Sequence, residues 1–146
     1  MIRSESEYRQ AVERLRAERG RLAEQEKLLR ETGLSDAGIK RVLDPMRSFH
    51  AQLEEEVESY NKLRQGHFDE LHNFDGLGQL LVMLRIAQDM SQVELAERLG
   101  VDPSQVSRDE RNEYRGVTLE KAGRVLEALG ATLVSTVEGL GVRPAA

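Results

Sequence analysis

Apolar residues recur at helical spacing through most of this chain, and the interruptions are rich in Gly, Pro, Asp, Ser and Thr. Between residues 4 and 30, Tyr8, Leu15, Leu22 and Leu29 repeat every seventh position, with Ala11 and Val12 in support. Arg19 and Glu26 occupy the companion seam, which narrows the stripe, and Gly20 weakens the middle. Ser4 is placed to cap this helix, Glu5 and Glu7 lie in its first turn, and Thr32-Gly33 ends it. From Ala37 to Arg64 the pattern is cleaner: Ile39, Leu43, Met46, His50, Leu53, Val57 and Tyr60 alternate steps of four and three. Ser35 or Asp36 can cap this second helix. Asp44-Pro45 predicts a break or kink near Asp44, because proline disfavours a helical residue before it. Two long helices joined by a short turn predict an antiparallel hairpin, whose core is either complete or completed in a dimer.

Gln65-Gly66 closes this arm, and residues 67–75 read as a linker with small apolar anchors at Phe68, Leu71 and Phe74. Leu77, Leu80, Leu81, Leu84 and Ala87 then predict a further helix. The run MSQVELAERLGVDPSQVSR, Met90 to Arg108, has the spacing of two short helices packed across a tight turn. Ser91 and Glu94 form a capping box; Leu95, Ala96 and Leu99 share a face. Gly100 suits a left-handed helix end, and Val101 is expected to plug the corner. Asp102 caps the next helix, with Pro103 at its first position, where a missing N–H costs nothing. Val106 points to the core while Ser104, Gln105 and Arg108 share the outer face. This is a helix-turn-helix pattern. An irregular loop follows at 112–116, and Thr118 caps a helix with Leu119, Ala122, Leu126 and Leu129 on its inner face and Val125 beside them. The alternation in ATLVSTVE predicts one short strand, which needs an edge to pair with and can find it in its twin across a dimer axis.

The fold class that follows is mainly α: an N-terminal long helical hairpin, then a compact helix-turn-helix bundle of four to five helices with one short C-terminal strand. The boundaries fall at 1–66 for the hairpin, 67–75 for the linker, 76–138 for the helix-turn-helix domain and 139–146 for a flexible tail.

Charge changes the picture in one respect. The net charge is −5, and neither half is basic: residues 1–72 carry 13 Lys/Arg against 15 Asp/Glu, residues 73–146 carry 8 against 11. Indiscriminate nucleic-acid binding needs a broad positive surface and is disfavoured; a compact reader with its Arg residues on one face is not. Cysteine is absent, so no disulfide framework or thiolate metal site exists. The N-terminus has no signal-peptide core and no apolar run reaches membrane-spanning length, which leads us to expect a cytoplasmic protein. His67 and His72 bracket FDEL at a spacing that fits no usual ligand pattern, and His50 reads as a polar seam residue. Glu54, Glu55, Glu56 and Glu58 read as the wet side of a helix. Neither a glycine-rich phosphate loop nor a nucleophile spaced from a base can be picked out, so we expect no enzyme, no metal and no cofactor.

From Leu77 to Leu129, above all at SQVELAERLGVDPSQVSR, the chain resembles the Cro/cI-type helix-turn-helix family, also called XRE. The N-terminal half, through EYRQAV and ESYNKL, more loosely resembles HigA-like antitoxins and related regulators. The first resemblance implies binding to double-stranded DNA. It implies that Gln92 meets phosphate and sometimes a base, and that Ser104, Gln105 and Arg108 face base edges in the major groove. It further implies that Arg111 and Arg115 lie where backbone contacts fall, and that Arg85 and Glu110 form an ion pair between the first and recognition helices. Arg108 has the geometry to hold guanine O6 and N7 together. Two departures from the family pattern stand out. Asp109 occupies a place often apolar, so the end of the recognition helix is expected to tilt or be more exposed, and Pro103 replaces a common base reader.

The leading expectation is a homodimeric, sequence-specific transcriptional regulator, a repressor laying the helix from Pro103 to Asn112 in the major groove. The alternative is an antitoxin or assembly protein whose N-terminal helices bind a protein partner such as a toxin.

Overall fold

The computed structural model describes residues 1–141, and within them six helices follow in order. They are α1 (Glu5–Glu31), α2 (Asp36–Arg64), α3 (Leu77–Ala87), α4 (Gln92–Leu99), α5 (Pro103–Arg111) and α6 (Leu119–Ala128). Their starts follow the side chains that satisfy orphan backbone N–H groups. Ser4 accepts from Glu7, Ser35 from Gly38, Ser91 from Glu94, Asp102 from Ser104 and Thr118 from Lys121. Each such cap contributes about 1 kcal/mol. Gly100 (φ 69°) ends α4, with the Val101 N–H returning to the Ala96 carbonyl and the Gly100 N–H to Glu97.

Helices α1 and α2 form the antiparallel hairpin. Ala11 and Leu15 of α1 are buried, as are Ile39, Leu43, Tyr60 and Leu63 of α2. The residues that spoil the α1 seam are used in cross-helix ion pairs: Arg19 to Glu54 at 3.0 Å, and Glu26 to Arg47 at 3.6 Å. The expected break at Asp44-Pro45 does not occur; α2 continues through Pro45 as one helix. Pro45 is exposed, so the carbonyl it leaves without a partner can meet water, while Leu43 beside it is fully buried and anchors the helix.

The core runs without interruption from the base of the hairpin into the short helices. Ile2, Ala11 and Tyr60 join Leu77, Leu81, Val82, Ile86, Leu95, Ala96, Val106, Ala122, Val125 and Leu129 in one cluster. Tyr8 stacks on Tyr60 with ring centroids 4.9 Å apart. Helix α3 is apolar on almost every side because α2, α5 and α6 all pack against it. The linker anchors hold less than expected, since Phe68 and Phe74 are partly exposed and Leu71 alone packs against the core.

Three further expectations are corrected. Val101 closes the turn with its backbone, yet its side chain is 41% exposed and does not plug the corner. On α6 the buried line is Ala122, Val125 and Leu129, with Leu126 partly buried against the core; Leu119, at the first turn, is 65% exposed. Residues 131–141 form no strand: a lone extended segment has no edge to pair with inside one chain, and Val134, Val137 and Leu140 face solvent. The expectation for residues 142–146 lies outside the described residues. Among the described residues no helix is long and apolar enough to cross a membrane.

Candidate nucleic-acid interface

Helix α5 is short and held on one side only. Val106 and Glu110, four residues apart, are buried against the core, whereas Ser104, Arg108 and Arg111 are exposed and Gln105 is half-buried. The spacing 104, 105, 108, 111 places these four side chains on one outward face. Asp102 at the cap and Pro103 at the first position start the helix on the solvent side of the turn. The Asp102 carboxyl is held below the usual aspartate range, chiefly by the Ser104 side-chain hydrogen bond and then by the Ser104 backbone N–H.

Beneath this face lies a charged knot. Arg85 of α3, 5% exposed, donates from Nε and Nη2 to the two carboxylate oxygens of fully buried Glu110, at 2.5 and 2.8 Å. The third arm of its fork, Nη1, donates to the Met90 carbonyl at 2.7 Å, where the chain turns into α4. Gln92 Nε2 donates to the same carboxylate at 2.9 Å. One carboxylate therefore ties three helices, and it orients the Gln92 amide at the first position of α4 beside α5. A bidentate guanidinium satisfies both oxygens of a charge that burial would otherwise make very costly.

Asp109, expected to loosen the end of α5, is instead tied down. Its Oδ2 lies 2.7 Å from Lys121 Nζ of α6, and its Oδ1 accepts from Gln105 Nε2 at 3.2 Å. A cation on α6 thus does the work of an apolar contact. Sequence reasoning missed Lys121, and the only signal available was an acidic residue at an inward position in need of a partner.

After α5 the chain turns back through Glu113 (φ 53°) and Tyr114 (φ 51°), two non-glycine residues in left-handed conformation. Tyr114 is buried, and burial, reinforced by the nearby Glu110 and Asp109 charges, pushes its phenol well above the ordinary tyrosine range. This turn carries Arg115, which is exposed and, with Asn112, Thr118 and Lys121, lines a shallow concavity of about 180 Å³ between the ends of α5 and α6.

Buried Glu110 is paired with Arg85 and Asp109 with Lys121, while Glu113 accepts from Gln79 at 3.2 Å. The Arg side chains at 108, 111 and 115 stay exposed, beside exposed Asp102 and Glu113.

Two short helices across a glycine turn, the second buried on one side and polar on the other, define a helix-turn-helix unit. Residues 81–134 match the family model described as helix-turn-helix. The match does not reach the hairpin, and it gives no support to the likeness of residues 1–66 to HigA-like antitoxins. No curated protein and no solved structure matches the chain.

Proposed function

We propose that this protein is a DNA-binding regulator that acts as a dimeric repressor, working in the cytoplasm and without catalytic activity. The observation that carries the reading is the division of α5 into a buried side, Val106 and Glu110, and an exposed polar side, Ser104, Gln105, Arg108 and Arg111. Arg108 carries most of the base discrimination, by two hydrogen bonds to guanine, with Gln105 and Ser104 on neighbouring base edges. Gln92, Arg111 and Arg115 set register on phosphates. Two protomers meet half-sites about one helical turn apart. Val134, 77% exposed, and Val137, 83% exposed, offer apolar surface that a second protomer can cover.

Selection of binding sites from a random duplex pool, followed by mobility shifts across a salt series, tests this. Arg108→Ala should relax preference at one base position by about 1–3 kcal/mol, whereas Arg115→Ala should weaken all sequences alike and lower the salt slope by about 1. A pool that yields no preferred site sinks the reading.

A second reading has one observation in its favour. Val42, Met46 and Phe49 form an exposed stripe along α2, 46%, 40% and 48% accessible, which suits the hairpin to a protein partner, as in an antitoxin that masks its toxin. Pull-down of a neighbouring gene product by the wild type, lost on Phe49→Glu, would support it, and capture unaffected by that change would remove it.

A further inference from the structure

We infer that Lys121, on α6 and outside the reading helix, is a positioning residue for base recognition by Arg108; the inference rests on the DNA-binding reading above. Four side chains form a relay from α6 to the outer face of α5. Lys121 Nζ lies 2.7 Å from Asp109 Oδ2, Asp109 Oδ1 accepts from Gln105 Nε2 at 3.2 Å, and Gln105 Oε1 accepts from Arg108 Nη2 at 3.4 Å.

The chemistry of each link sets the next. A carboxamide has one donating and one accepting end, and a carboxylate only accepts. With Asp109 ionised, the Gln105 amide must turn its nitrogen inward. The oxygen is then left facing Arg108, whose guanidinium only donates. A flipped amide would set oxygen against carboxylate and nitrogen against guanidinium, both repulsive. Lys121 keeps this arrangement in place because it holds Asp109 half-buried, at 20% side-chain exposure, and cancels its charge. Without that ammonium, the Asp109 carboxylate sits beside the DNA phosphates unneutralised, is driven outward, and releases the amide that braces Arg108. A guanidinium that samples several rotamers loses the fixed geometry on which two simultaneous bonds to guanine depend.

The obvious rival role for Lys121 is a phosphate contact, and the two roles predict different losses. The full-length chain and its variants are tested by binding-site selection and by equilibrium binding to single-base variants of the selected duplex, across a salt series. The base pair read by Arg108 is the one whose preference collapses in R108A. In K121M, discrimination at that base pair should fall about tenfold, with other positions and the salt slope unchanged. The double variant D109N/K121M should recover most of the discrimination, because an amide oxygen still accepts from Gln105 and no charge is left to offset; it also guards against a fold that fails in the single variant. Uniform weakening over all sequences with a salt slope lower by about 1 would assign Lys121 to phosphate and overturn the inference. Unchanged discrimination in K121M would overturn it equally. Both outcomes leave the DNA-binding reading standing, whereas a wild-type chain that selects no sequence ends both.

Discussion

A methyl group on Gly78 would stand 1.9 Å from the carbonyl oxygen of Glu113. Helix α3 and the turn after α5 therefore meet backbone to backbone, and only a residue without a side chain permits it. The turn is held in its left-handed conformation by this contact on one side and by buried Tyr114 on the other. Since the same turn carries Arg115, α3 sets where a proposed phosphate contact lies.

Gly78→Ala should accordingly destabilise the fold by about 1–3 kcal/mol through overpacking, even though alanine is the better helix former. Urea denaturation measures the loss. A neutral or stabilising effect would show that the turn yields freely, and Arg115 would then not be positioned by α3.

The Arg85–Glu110 pair should behave as a buried unit. Glu110→Ala leaves a guanidinium 5% exposed without its bidentate partner and should lower stability by about 3–5 kcal/mol. Replacing both residues with apolar side chains should be less damaging than removing Glu110 alone, because no orphan charge remains. A double-mutant cycle by chemical denaturation checks this; additive losses would mean that the two charges are not coupled.

Alkaline pH should unfold the chain through its tyrosines. Burial raises the Tyr114 phenol strongly and the Tyr60 phenol in the same direction, so the fold favours the protonated form of both. Their contribution is complete below the ordinary tyrosine pKa of about 10 and is lost as pH rises above it. Tyr114→Phe should flatten much of that alkaline decline in thermal melts. A wild-type melting temperature that stays level well above pH 10 would count against it.

Pro45→Ala should raise stability, by at most about 3 kcal/mol, by restoring a hydrogen bond in the interior of α2 on its exposed face. Thermal melts of the two proteins decide it. A lower melting temperature would mean that Pro45 serves a contact of its own.

Where a feature depends on residues close in sequence, it was legible from the sequence. The caps at Ser4, Ser91, Asp102 and Thr118, the left-handed end at Gly100 and the outward face of α5 all follow from spacings of two to four residues, whereas the choice of Ser35 over Asp36 as the cap of α2 came from the structure. Reading failed where burial from elsewhere overrides local preference. Asp44-Pro45 looks like a helix boundary, but the packing of Leu43 and Ile39 against α1 carries α2 across it. Leu119 keeps the helical register of an inner residue and yet is exposed.

The candidate interface divides in the same way. The sequence by itself determined α5, its polar side and the residue types displayed there, because capping and amphipathic periodicity act within a few turns of one chain. Only the tertiary structure decided that Lys121 meets Asp109, that Glu110 also holds Gln92, and that Gly78 admits the Glu113 carbonyl. Those contacts join residues from 12 to 35 positions apart. They exist because one shared core brings α3, α5 and α6 together, and no local spacing encodes the distance between two helices across a core.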